Sequence, residues 1–225
     1  MDMGTAKIIK FPGQGKRDVR QRIRKQVDFP FFTEQQIKLL RRTVKDASTL
    51  AKQRNQVTAI REWMLIDLLT SSGIREAEAV DLRCGDIKTG YGQSAIYIRN
   101  GKGSKCRTVQ IPASLKTHLR SFLRWKSNRG EPTGYDDFLF LGQRGPWTVA
   151  AVQQCVKKWL RKLGFYESGK SAHALRHSYA VALYRKERDI RAVQKQLGHS
   201  SIQTTQIYAD TLPDDIQKQL MGLWN

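Results

Sequence analysis

The chain has 225 residues and 40% hydrophobic content, enough to bury the core of one large domain or two small ones. Its 40 Lys and Arg against 20 Asp and Glu leave a formal net charge of +20, which points to a polyanionic partner, with nucleic acid as the default, because each base that neutralises a phosphate releases condensed counterions. Cys84, Cys106 and Cys155, odd in number and widely spaced, suggest neither a disulfide framework nor a zinc knuckle, and no stretch has the length of a membrane span or signal-peptide core, so a soluble cytoplasmic chain is expected.

Residues 1–30 read as a flexible basic arm, because Lys7, Lys10, Lys16, Arg17, Arg20, Arg22, Arg24 and Lys25 crowd a segment with few apolar groups. From residue 31 to 225 the texture is that of a folded domain. Thr33 and Gln36 form a capping-box pattern ahead of Ile37, Leu39, Leu40 and Val44, which predicts a helix start. A second helix over about Val57–Leu69 is apolar on both faces, so it is expected to be buried, and it stops near Gly73. A short helix from about Arg75 follows. Ala95–Arg99 and Thr108–Ile111 read as two strands of a hairpin with Lys102 at its turn.

The remainder reads as helical. Ser114 is the expected cap of a helix to about Asn128, and Thr148 of another that runs to Gly164. Two more cover about His173–Lys186 and a segment from Asp189 to just before Gly198, and Pro213 opens a last one over 213–224. The predicted class is mostly α with a small antiparallel β-sheet.

His173, Arg176 and His177 stand three and four positions apart and so share one helix face. Taken alone, H-x-x-R-H is a weak signal, and a solvated or hydrogen-bonded structural role fits it better than a site. The segment Leu197-Gly198-His199-Ser200, with Tyr208 nine residues after its histidine in T-T-x-x-Y, changes that weighting. Together with Gly73-Ile74-Arg75-Glu76-Ala77-Glu78 and the loop Gly101-Lys102-Gly103-Ser104-Lys105-Cys106-Arg107, it resembles the catalytic domain of the tyrosine site-specific recombinases (phage integrases). The four motifs lie in that family's order across about Phe31–Leu212.

The resemblance implies the family's fold and a catalytic set of Arg75, Lys102, His173, Arg176, His199 and Tyr208. Phosphodiester chemistry asks for the same types. Two arginines can hold the non-bridging oxygens with forked donors that never lose their proton, which suits Arg75 and Arg176. Tyr208 is the nucleophile, and since a phenol titrates near pH 10 it needs a proton acceptor, a role that suits His173. Lys102 is the expected general acid for the departing 5′ oxygen, with Lys105 the alternative. His199 is expected on the scissile phosphate or positioning its surroundings, Glu78 orienting Arg75, His177 buttressing its helix, and Lys105 and Arg107 on backbone phosphates.

No ATP-binding loop or metal-ligand motif occurs, so no cofactor is implied. The partner implied is double-stranded DNA in the nucleoid, bound by a monomer or weak dimer that assembles into a tetramer, and no membrane. About thirty residues precede the domain, a layout similar to the small fimbrial-switch invertases, which leaves room for an accessory protein in DNA recognition. Rival readings are topoisomerase-like relaxation and a catalytically silent regulator of another recombinase.

Overall fold

The structure, a computed structural model, describes residues 29–100, 106–168 and 171–209. The expected arm apart from Phe29 and Pro30, the hairpin turn with Lys102 and Lys105, and the helix over 213–224 lie outside the described residues. Eight α-helices are described: α1 (Glu34–Gln53), α2 (Thr58–Ser72), α3 (Glu76–Asp81), α4 (Ala113–Asn128), α5 (Val149–Lys162), α6 (Ala172–Glu187), α7 (Ile190–Leu197) and α8 (Gln203–Ala209). Strands β1 (Ile87–Lys88), β2 (Ala95–Ile98) and β3 (Arg107–Gln110) form an antiparallel sheet in the order β1-β2-β3, and β4 (Leu141–Gly142) pairs with β5 (Gly145–Pro146). The class is the one expected from the sequence.

Local chemistry accounts for most of the boundaries. Thr33 Oγ1 accepts from the Gln36 N–H while Gln36 Oε1 accepts from the Thr33 N–H, so the capping box opens α1 as predicted. Thr148 accepts from the Ala151 N–H at the start of α5, and Asp189 from the Arg191 and Ala192 N–H groups at the start of α7. One expected cap is corrected. α4 begins at Ala113 after Pro112, whose extended backbone (φ −69°, ψ 155°) serves as the entry, so Ser114 lies inside the first turn.

α2 is the central helix, with Met64, Leu65, Ile66, Leu68 and Leu69 all buried, and it packs against α1, α4 and α6. Its near-complete apolar perimeter is the reason, since a helix without a polar face is stable only when surrounded. The hydrophobic core falls into two parts. The large one gathers α1 to α5, the sheet and the start of α6, including Ala172, Ala174 and Leu175. The small one consists of Ala180, Val181, Val193, Leu197 and Tyr208, with Phe29, Phe31 and Ile207 packed on it. α6 belongs to both. Gln196 joins the small part to the sheet: its side-chain amide donates to the Gln110 carbonyl (2.7 Å) and accepts from the Gln110 N–H (3.2 Å), which satisfies the outer edge of β3. Among the described residues no helix is long and apolar enough to cross a membrane.

Candidate functional site

The site forms where three helix ends meet. α2 stops at Gly73, in the left-handed conformation (φ 64°), and the chain turns through Ile74 to place Arg75 at the start of α3. Arg176, on the second turn of α6, is 3% exposed and reaches across this junction. Its Nη1 donates to the Gly73 carbonyl (2.6 Å) and its Nη2 to the Leu197 carbonyl (2.9 Å), the C-terminal ends of α2 and α7. Helix C-termini carry partial negative charge and unsatisfied carbonyls, so one guanidinium ties three helices together.

Arg176 also fixes His199. Nη2 of Arg176 lies 3.1 Å from His199 Nε2, and His199 Nδ1 lies 3.0 Å from Thr205 Oγ1. A guanidinium only donates, so Nε2 is the acceptor and the ring proton sits on Nδ1, donated to Thr205. Burial, reinforced by Arg176, Arg75 and Arg107, lowers the His199 pKa to about 4, which keeps this neutral tautomer at physiological pH. Burial also lowers the Arg176 pKa to about 10, still well above neutrality.

Glu78 organises the opposite wall. Its carboxylate is 3% exposed and accepts from the Arg75 backbone N–H (2.8 Å), from Arg75 Nη1 (2.8 Å), and from both Nη groups of Arg107 (2.6 and 2.8 Å). Burial alone would raise its pKa, but the Arg107 hydrogen bonds, the Arg75 backbone N–H, the Arg107 charge and the Arg75 side-chain hydrogen bond outweigh it and hold the carboxyl at about 2. Glu78 thus pairs with Arg75, the residue it is expected to orient. Arg107, expected on phosphates, spends both Nη groups on Glu78, while its Nε has no hydrogen-bond partner among the described residues.

These walls enclose an open cavity of about 480 Å³ lined by Arg75, Arg107, Arg176 and Lys195, by His173, His177 and His199, and by Tyr208. No carboxylate lines it among the described residues, so the cavity is strongly electropositive and sized for an anionic group. Lys102 and Lys105 lie outside the described residues, in the segment that leads directly into Cys106 and Arg107 on the cavity wall.

Tyr208 closes the cavity from α8. The residue is 1% exposed, its oxygen lies 3.0 Å from His177 Nδ1, and its ring stacks on His199 at 6.2 Å between centroids. Burial raises the phenol pKa, opposed by the charges of Arg176 and Arg75. Phe29 covers this pair, 4.6 Å from the His177 ring and edge-on to Tyr208 at 5.4 Å. His173, one turn before His177, presents its ring edge-on to it at 4.4 Å and is exposed on the solvent side. Five of the six residues expected to carry chemistry therefore line one cavity. Sequence reasoning gave His177 only a buttressing role, and its contact with Tyr208, 31 residues away, has no local signature.

His118, on α4, lies apart from the site. It bonds Asp67, which Arg41 also pairs, and the group joins α1, α2 and α4 away from the cavity.

Comparison with known proteins places this geometry. The sequence profile of the phage integrase family matches residues 30–214. The chain is 35% identical over 150 residues to tyrosine recombinase XerH of Campylobacter jejuni subsp. jejuni serotype O:2, covering 66% of this chain and 41% of that protein. It is 34% identical over 160 residues to XerC of Actinobacillus pleuropneumoniae serotype 7, covering 71% and 50%. The chain thus spans about half the length of the curated relatives it matches. Among solved structures it is similar to XerH bound to a palindromic difH substrate in a post-cleavage complex, with a TM-score of 0.69 and 27% identity over 87% of this chain and 53% of that one. The XerA recombinase gives a TM-score of 0.65 and 26% identity, covering 85% and 62%. These relatives are of the Xer type, which replaces the fimbrial-switch resemblance expected from layout. The chain belongs to the phage integrase family of tyrosine recombinases.

Proposed function

We propose that this chain cleaves and rejoins double-stranded DNA at specific sites through a covalent 3′-phosphotyrosyl intermediate. The observation that carries the reading is the placement of the Tyr208 phenol in the wall of a cavity lined, among the described residues, by three arginines and three histidines and by no carboxylate. The similar XerH structure, a post-cleavage complex with DNA, supports it.

In this reading the scissile phosphate enters the cavity and its non-bridging oxygens are held by Arg75 and Arg176. Both arginines are preorganised, one by Glu78 and the other by two helix-end carbonyls and His199. Little reorganisation is then needed when charge builds on the phosphorane. His199, through its acceptor bond, fixes the plane of Arg176. His173 flanks the phosphate from the solvent side, and Lys102 protonates the departing 5′ oxygen. The ester formed at Tyr208 keeps the free energy of the broken bond, so the 5′ hydroxyl of a partner strand reseals it in reverse. Strand exchange requires four such centres, hence a tetramer on DNA. The segment over 213–224 would dock on a neighbouring copy and residues 1–28 would follow phosphates, with an accessory protein completing site recognition in the nucleoid.

The test uses a pool of nicked duplexes with a randomised central segment, selected for detergent-resistant protein–DNA adducts. The unsubstituted chain is expected to yield adducts and Tyr208→Phe none, while the variant still binds DNA with affinity that falls steeply with salt. Adducts at an unchanged level with Tyr208→Phe would refute the nucleophile.

A further inference from the structure

The geometry points to His177, rather than His173, as the group that accepts the proton of Tyr208. His177 Nδ1 stands 3.0 Å from the phenol oxygen, inside hydrogen-bond reach of the atom that would attack phosphorus. His199 is not available for the task, because its Nε2 accepts from Arg176 and its Nδ1 proton is donated to Thr205. His173 meets His177 edge-on and lies toward solvent.

The groups around His177 fix its protonation state. His173 and Arg176 face it from α6, His199 from the end of α7 and Tyr208 from α8, and Phe29 covers it with an apolar ring. Burial and the positive neighbours lower its pKa to about 4. The imidazole is therefore neutral at pH 7, and the role assigned to it uses the tautomer with a lone pair on Nδ1 for the phenol and the proton on Nε2. Complete transfer ahead of attack is uphill, because burial raises the phenol while it lowers the imidazolium. The transfer must accompany formation of the bond from Oη to phosphorus, and the incoming phosphate anion offsets the Arg176 charge that depresses His177.

The step balances. The Oη–P bond forms as the P–O5′ bond breaks, the phenol proton passes to His177 Nδ1, and O5′ takes a proton from Lys102. On resealing, His177 returns its proton to the departing phenolate.

This assignment rests on the DNA-transesterification reading, and the test separates the two. A duplex recovered from the nicked pool is the substrate, and single-turnover adduct formation is followed from pH 6 to 9. His177→Asn keeps an acceptor oxygen near the position of Nδ1 but has no basicity, so a mere anchor would be rescued by it. The expected result is a loss of about 100-fold at pH 7. The variant rate should then rise about tenfold per pH unit as the phenol ionises unaided, against a flat profile for the unsubstituted chain. DNA binding and thermal unfolding report on folding. A loss under tenfold, or a profile parallel to the unsubstituted one, overturns the assignment alone, and an unsubstituted chain that forms no adduct overturns both. ¹⁵N NMR of the unsubstituted chain supplies a check that needs no folded variant: His177 is expected as the Nε2–H tautomer at pH 7, assigned through its response to Tyr208→Phe. An Nδ1–H tautomer would make the ring a donor and overturn the role.

Discussion

Glu78 shows how a single buried carboxylate sets the site's acid sensitivity. Its folded pKa of about 2 lies below the ordinary value of 4.5, so the unfolded chain binds more protons and stability rises with pH across that window. The contribution is present above about pH 4.5 and is lost as pH falls toward 2, and a shift of this size corresponds to about 3 kcal/mol. Glu78→Gln is therefore expected to lower stability by about 3 kcal/mol at pH 7, because the amide leaves two guanidinium groups underpaired, and by little near pH 2. Urea unfolding at both pH values checks this; an equal loss at both would assign the effect to packing. His177 and His199, depressed from 6.5 to about 4, add a separate acid-labile window between those values, with the same sign. At this scale the sequence showed the arginines, the histidines and the tyrosine, because their spacing forms motifs. It did not show that Glu78 holds Arg107 as well as Arg75, or that His177 meets Tyr208, since both contacts join separate elements.

Among the elements, those with a chemical signal at their ends were readable: the capping box of α1, the glycine stop of α2, and the Thr148 and Asp189 caps. β1, β4 and β5 are two residues each, too short to show a period. α8 is rich in Thr and Gln, with Ser201 Oγ accepting from the Gln203 N–H at its entry, and it is held by burial of Thr205 and Tyr208 rather than by propensity. The end of α7 allows a sharper test. Gly198 has φ 68°, and a Cβ there would stand 2.5 Å from Arg107 Cδ, on a side chain pinned by Glu78. Gly164 has a similar φ of 70° but open space around it. Gly164→Ala should cost about 1 kcal/mol, the left-handed strain alone, and Gly198→Ala about 2 kcal/mol or more, since Arg107 must also move. Chemical denaturation of the two variants measures the difference, and equal losses would mean that Arg107 is free to yield.

Across the whole molecule, charge and core are distributed unevenly. The net charge of +20 opposes compaction, and the large core around α2 is where burial is greatest. Among the described residues, the part that holds Tyr208 has five buried core residues, so it contributes far less apolar burial there and should open at lower free energy. Amide exchange is expected to show α7 and α8 opening locally at a free energy below that of α2; uniform protection across the three would contradict this. α6 belongs to both parts, with Leu175 in the large core and Val181 in the small one, and Arg176 and His177 fall at the division. The site therefore sits on a seam between a firm body and a yielding one. Arg75, Glu78 and the sheet belong to the firm body, while the tyrosine rides on the yielding one, so the grip on an anion and the presentation of the phenol are mechanically separable.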